Sequence, residues 1–258
     1  MKLYRKFLAL HLKNELEYKG SFIMGFISQS FVFFSSFFAI YALFEKFNVI
    51  KNYSVYQILL VYAVIQFGFS INVVFNRGFD HFDRLIKNGE FDRFLTRPRS
   101  LFLQVMGSEI DYSRTTRIIQ SLIILFIAIY KIDVIWTLDK IITLIFMMIS
   151  SIILFFNIYL IGAALCFVTV EGLEIINVLT YGGREMGQYP MDIYKKGFRV
   201  FFTYIIPFSI INYYPLMYIL GNSSNKLFIF IPLLNLLYIP VCVFIFNKGL
   251  KRYGSTGS

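Results

Sequence analysis

RGFDHFDRLIKNGEFDRFLTRPRS, residues 77–100, is the longest run in the chain that cannot sit in lipid. Almost everything on either side of it can. Apolar runs of roughly 20 residues, the length that spans about 30 Å of hydrocarbon, recur before and after it. The chain of 258 residues is 57% hydrophobic and 19% aromatic with a mean hydropathy of +0.65, far above the roughly 45–50% apolar content of a soluble domain. It reads as an all-α polytopic membrane protein with no room for a separate soluble domain.

The formal charge of +10 suits phosphate binding in principle, but its placement points elsewhere, to topology. Twenty of the 25 Lys and Arg fall before the first span, in residues 77–117, in residues 171–199 or after Asn247. The remaining five, Lys46, Lys51, Lys131, Lys140 and Lys226, fall in the loops between. By the positive-inside rule this puts both termini and the 77–117 loop in the cytoplasm. Nucleic acid is not an expected partner; membrane lipid is. Cys166 and Cys242 lie in apolar runs, where they act as small hydrophobes rather than as a disulfide or metal framework. The first apolar run begins at Ser21 and is too long for a cleaved signal sequence, so a retained anchor is expected.

Residues 1–19 have the pattern of an interfacial amphipathic helix, with Leu3, Tyr4, Phe7, Leu8, Leu10 and Tyr18 on one face and Lys2, Arg5, Lys6 and Lys13 on the other. His11 lands among the apolar residues as a packed side chain. Residues 20–253 form one transmembrane domain, with spans expected near 21–44, 55–75, 118–135, 141–170, 200–214 and 227–246. The third helix is expected to start in the cytoplasm near Phe102. Pro207 and Pro215 interrupt IPFSIINYYP, so a re-entrant or interfacial piece is expected after Tyr214. Residues 171–199 read as a second cytoplasmic loop, and 254–258 (GSTGS) as a linker scar.

With those boundaries no charged residue lies deep in a span, where an ion-coupled transporter carries its coupling groups. No phosphate-binding loop, zinc pattern or nucleophile elbow occurs either. His81, between Asp80 and Asp83, is a weak metal candidate that reads better as part of a solvated helix face. No catalytic residue, metal site or bound cofactor is expected. Within residues 77–100, Phe79, Phe82, Leu85 and Ile86 share one helical face while Asp80, Asp83, Arg84 and Lys87 share another. Gly89 is placed to stop that helix, and Pro98 closes a second short turn. The periodicity fits an ordinary amphipathic loop as well as a docking surface.

GEFDRFLTRP, residues 89–98, resembles the Gly-Glu-hydrophobic-Asp, Leu-x-Arg-Pro pattern of the short six-span permeases of ATP-binding-cassette exporters, the branch of viologen and daunorubicin exporters. TYGGREMGQYP (residues 180–190) and IPFSIINYYP (residues 206–215) are similar to two further motifs of that branch, in the same order. The resemblance implies a non-catalytic permease that pairs with a second permease subunit, identical or not, in a bacterial or archaeal plasma membrane. It also implies separate cytoplasmic ATPase subunits that hold the ATP and Mg. A coupling helix within residues 77–99 would seat in the ATPase, with Phe82, Arg84, Phe91, Asp92, Arg93 and Arg97 as contacts. The 1–19 helix, with Arg5, Lys6 and Lys13, would be the elbow bracing it. An amphipathic substrate (drug, peptide or lipid-like) would pass the first, second and fifth spans, where Phe33, Phe34, Ser36, Tyr41 and Gln66 stand as path residues. A non-transporting scaffold or sensor that anchors a cytoplasmic partner through the same loop is the alternative, with a membrane-embedded transferase third.

Overall fold

The structure, a computed structural model, describes residues 2–47, 53–169 and 176–254 and, within them, leaves out a few side chains on the first two helices. It is helical, with no strand among the described residues. Helix α1 (Lys2–Glu17) lies at the end of the bundle that also holds the 77–100 loop. There Tyr4 Oη donates to the Phe75 carbonyl at 2.9 Å, His11 Nε2 meets the Gly107 carbonyl at 3.0 Å, and Glu15 accepts from the Tyr112 amide at 2.8 Å. The protein-facing stripe is therefore Tyr4, Phe7, Leu8, His11 and Glu15. Leu10 and Tyr18, expected on that stripe, are 57% and 73% exposed. Leu10 lies away from this stripe on the helix wheel, whereas Tyr18 falls past the last residue of α1, at the break before the next helix.

Helix α2 (Lys19–Phe47) begins after a one-residue break at Tyr18. Very little of it is buried, and Phe31, Val32, Phe34, Phe38 and Tyr41 are all exposed. Helix α3 (Val55–Phe75) occupies the centre, buried on nearly every side. Its start is fixed by a capping box in which Ser54 Oγ accepts from the Gln57 amide and Gln57 Oε1 accepts from the Ser54 amide. Helix α8 (Thr115–Lys131) runs antiparallel to α3, and α9 (Leu138–Cys166) runs parallel to it. Gly68 lets α3 and α9 cross closely: a Cβ there would fall 2.2 Å from Ser151 Oγ. Small residues at such crossings are how apolar helices approach in lipid. Asn72 Nδ2 bridges the same crossing to the Ile152 carbonyl at 2.9 Å.

Between α3 and α8 come four short helices, α4 (Arg77–Asp80), α5 (Phe82–Lys87), α6 (Glu90–Leu95) and α7 (Leu101–Ser108). The expected continuous helix from Phe102 into the third span does not form. Instead the chain breaks at residues 109–111, where Glu109 and Asp111 turn out to hold arginines, and restarts at Tyr112. The fourth span sits three residues earlier than expected at its start and four earlier at its end.

The fifth crossing departs most from expectation. Residues 176–193 run along α3 from one end to the other. Tyr181 Oη donates to Asp80 Oδ2 at 3.0 Å just past the loop end of α3, while Tyr53, one residue before the α3 cap, donates to Asp192 Oδ1 at 3.1 Å. The 21 residues of α3 cover about 30 Å at 1.5 Å each, so this segment crosses the bundle. It is built from a π-helical turn (Val178–Gly182) continued by α10 (Gly183–Gly187) and a 3₁₀ turn (Met191–Ile193). The crossing is thus not at 200–214, and 171–199 is not wholly a loop; residues 170–175 lie outside the described residues. Lys195, Lys196 and Arg199 move to the opposite end, which shrinks the charge asymmetry without changing its sign.

The re-entrant piece comes next in the chain, earlier than expected. Helix α11 (Lys196–Tyr204) meets α12 (Ser209–Asn212) and α13 (Tyr214–Ile219) through a 96° bend at Pro207. The bend reaches inward, where Phe208 packs on Phe155 and against Gly183 and Gly187. Asn212 Nδ2 then donates to the Gly187 and Tyr189 carbonyls at 2.7 and 3.0 Å, and Tyr213 returns to the neighbourhood of Asp192 and Tyr53. Entry and exit are therefore at one end of the bundle, and the proline-freed backbone is satisfied by protein. The last crossing, Ile231–Leu250, begins as a 3₁₀ helix (Ile231–Leu237), where Asn235 and Pro232 bond Ser150, and ends as α14 (Tyr238–Leu250).

Candidate functional site

The 77–100 loop is not a loose surface segment. Phe79, Phe82 and Phe91 have no exposed surface and meet rings from three other parts of the chain. Phe82 lies 5.1 Å from Phe91, 5.2 Å from Phe167 and 6.0 Å from Phe246 between ring centroids, mostly edge to face. Phe91 continues the cage to Phe167 at 5.3 Å and Tyr253 at 5.1 Å. Edge-to-face pairs of this kind add about 0.5–1.5 kcal/mol each beyond the area they bury. Neither α5 nor α6, at six residues each, is long enough to hold as an isolated helix; the cage holds them. Gly89 makes the turn between them at φ +67°, a left-handed conformation that suits glycine. Gly78 lets α4 touch α7, since a Cβ there would fall 1.9 Å from the Val105 carbonyl oxygen. Gln104 Nε2 closes the corner by donating to the Phe94 and Arg99 carbonyls.

A charged knot secures the base of the loop. Arg77 Nε donates to Glu109 Oε1 at 2.6 Å and its terminal nitrogen stands 3.0 Å from Asp111 Oδ2. His81 Nδ1 meets Glu109 Oε2 at 2.8 Å, and Arg114 Nε meets Asp111 at 2.8 Å. Burial alone would raise the Glu109 pKa, but the hydrogen bonds and charges of His81 and Arg77 outweigh it and hold the carboxyl down at about 2. At Asp80 the balance goes the other way: burial pushes its pKa up, against the lowering effects of His81, Tyr181 and Arg77. His81 therefore serves the knot, and among the described residues no group of three or more His, Cys, Asp or Glu side chains could hold a metal.

The six contact residues read from the sequence divide cleanly. Arg84, Arg93 and Arg97 lie on the outer face, joined there by Lys87, Arg99 and the apolar side chain of Leu95, with Glu90 as an exposed acid. Asp92 is half-buried and accepts from Tyr253 Oη at 3.0 Å. Phe82 and Phe91 present nothing to a partner and are corrected from contacts to cage residues. Helical periodicity showed that they share a face but not that α9 and α14 supply the rings that cover it. Arg5, Lys6 and Lys13 are exposed on α1.

The path residues do not form one wall. Phe34 and Tyr41 are exposed on α2, whereas Gln66 is sealed inside on α3. The side chains of Phe33 and Ser36 lie outside the described set. Missed altogether were two arginines inside the bundle. Arg184 lies with its guanidinium 4.9 Å from the Phe69 ring and pairs with Glu185. Arg117, in the first turn of α8, is 7% exposed. The expectation that no charge lies within a span fails at these positions, Arg117 one residue before the expected third span and Arg184 in a stretch assigned to a loop.

A family model described as "ABC-2 family transporter protein" matches residues 31–257. No curated protein and no solved structure matches the chain.

Proposed function

The chain belongs to the ABC-2 transporter family, and from that premise we propose that it is the permease subunit of an exporter worked by separate cytoplasmic ATPase subunits. Rigid presentation of the arginine face supports this reading most directly. Arg84, Arg93 and Arg97 stand outward on a loop whose inner side is locked by aromatic rings to the ends of α9 and α14. A push on a loose loop dissipates as loop motion. A push on this one moves the bundle. The exposed basic face with Leu95 at its centre calls for an acidic groove containing an apolar pocket, the charge complementarity that sets orientation and on-rate.

From the loop, two routes lead inward. One is α4, whose Asp80 holds Tyr181 at the start of the fifth crossing. The other is the ring cage, which reaches α9 and α14. ATP-driven closure of two ATPase subunits would displace both loops of a permease pair together, turning the fifth crossing through its π-helical turn and the re-entrant hairpin packed on it. The second permease would cover α2, whose outer face carries Phe31, Phe34, Phe38 and Tyr41. The cargo would be amphipathic and leave at that shared interface; ATP and Mg stay with the partner.

Reconstitution with the ATPase in liposomes tests this reading. ATP-dependent efflux together with substrate-stimulated hydrolysis is expected. Firm ATPase binding with neither flux nor stimulation would instead make the chain a membrane anchor.

A further inference from the structure

Arg117 has no acid and no hydrogen-bond partner among the described residues: its Nε is buried and unmatched, and its electrostatic neighbours are Arg184, Arg114 and the hydroxyls of Tyr181 and Tyr62. Arg114 is already bound to Asp111, and Glu185 is shared between Arg184 and Gln188, whose Nε2 donates to it at 2.9 Å. Arg117 is therefore left without a carboxylate of its own among the described residues. The Arg184 Nε is likewise buried without a partner, as are Thr116 Oγ1 and the Gln120 and Gln29 Oε1 atoms.

These groups lie at one depth. The Asp111 amide, bonded to the Val74 carbonyl, marks the loop end of the α3–α8 pair. Arg117 is six residues further in, about 9 Å. Arg184 rests on Phe69, six residues before the end of α3 and so at about the same level. Gly25 of α2 packs on Ser113, and one turn on from that contact the two parallel helices carry Gln29 and Arg117. Helices α8, α10 and α2 thus bring cationic and amide groups to one place inside an apolar bundle.

An unpaired buried cation costs several kcal/mol, and a second one beside it adds repulsion. Methionine or glutamine would fill the same space without that cost. We propose that Arg117 and Arg184 form an intramembrane receptor for one anionic group, a carboxylate or phosphate carried on an otherwise apolar molecule. The planar guanidinium forks suit both oxyanions. The exposed side of Glu185 is where such a group would enter, exchanging one carboxylate for another. That the bound molecule is cargo rests on the permease reading; that an anion binds does not.

The test uses the purified full chain in neutral detergent without ATPase, following its melting with dodecyl phosphate or dodecanoate and with dodecyltrimethylammonium at equal concentration. Stabilisation by the two anions and not by the cation is expected, with at least a tenfold loss of apparent affinity in Arg117→Gln and in Arg184→Gln and partial retention in Arg117→Lys. An equal response of the wild type and either glutamine variant overturns the proposal, as does equal stabilisation by the cation. Each variant stands alone, so failure of one to fold leaves the other decisive. If Glu171→Gln with Glu174→Gln abolishes the melting difference between the wild type and Arg117→Gln before any ligand is added, the chain supplies its own counter-charge and the proposal falls.

Native mass spectrometry of protein taken straight from membranes separates the sources. Anionic lipid held by the wild type and lost in Arg117→Gln identifies a lipid headgroup. Dodecyl phosphate binding to a lipid-free protein identifies a site for another anionic amphiphile. Flux that persists without anion binding sinks the receptor and spares ATP-driven export; anion binding without ATPase coupling does the reverse.

Discussion

Phe82→Ala separates a cage residue from a contact residue. The Phe82 ring is fully buried and has Phe91, Phe167, Phe246 and Phe79 at 5.1 to 6.3 Å. Removing a buried phenylalanine costs about 3–5 kcal/mol through lost contacts and the cavity left behind. That cost falls on α5 and α6, because neither helix is stable without the cage. Amides of the two helices should then open more often, by roughly two to three and a half orders of magnitude at 1.4 kcal/mol per tenfold. Hydrogen exchange of the permease alone, measured on peptides from residues 82–95, reads this directly. Arg93→Glu should leave the same exchange unchanged, since its side chain lies on the outer face, and weaken ATPase binding nonetheless. Wild-type protection in Phe82→Ala combined with an affinity loss like that of Arg93→Glu would show that Phe82 touches the partner and that the cage reasoning is wrong.

The packing and the charges give two further outcomes. Gly68→Ala should lower the melting temperature in detergent, because its Cβ meets Ser151 Oγ at 2.2 Å and the Ser151 carbonyl carbon at 2.5 Å, an overpacking cost of about 1–3 kcal/mol or more; Ser151→Gly should restore only part of it, since the backbone contact stays. Glu109 is depressed from 4.5 to about 2, so the stability it contributes is full above pH 4.5 and is lost as pH falls through the folded value. Melting measured between pH 5 and pH 2.5 should therefore decline more steeply in the wild type than in Glu109→Gln, and parallel curves would show that the knot at the loop base does not hold.

The parts of this fold that were readable from residues are those where one helix carries a continuous apolar signal and its own end marks. Helix α3 fell at residues 55–75 because Ser54 and Gln57 cap it and Asn76 and Arg77 end the apolar run. The fifth crossing was hidden for the opposite reason. Its Gly182, Gly183, Arg184, Glu185 and Gly187 resemble a loop by composition, and they are tolerated inside because Asp80, Phe69, Gln188 and Asn212 satisfy or cover this segment. The apolar run at 200–214 drew the assignment instead, although Pro207 folds it back on itself. In the 77–100 loop, local periodicity separated the phenylalanines from the arginines, but only the packing of α9 and α14 shows which of the two sets remains outside. Arg117 gave no local sign at all, since its meaning depends on Arg184, 67 positions away in the sequence.

The affinity of the purified permease for its ATPase, measured in detergent for the wild type and for Arg93→Glu with Arg97→Glu, tests the account most directly. Two outward-facing charges reversed at a complementary interface should weaken binding at least tenfold and reduce its salt dependence, with membrane insertion and loop hydrogen exchange unchanged. Unaltered affinity in the doubly reversed chain would mean that the ATPase docks elsewhere.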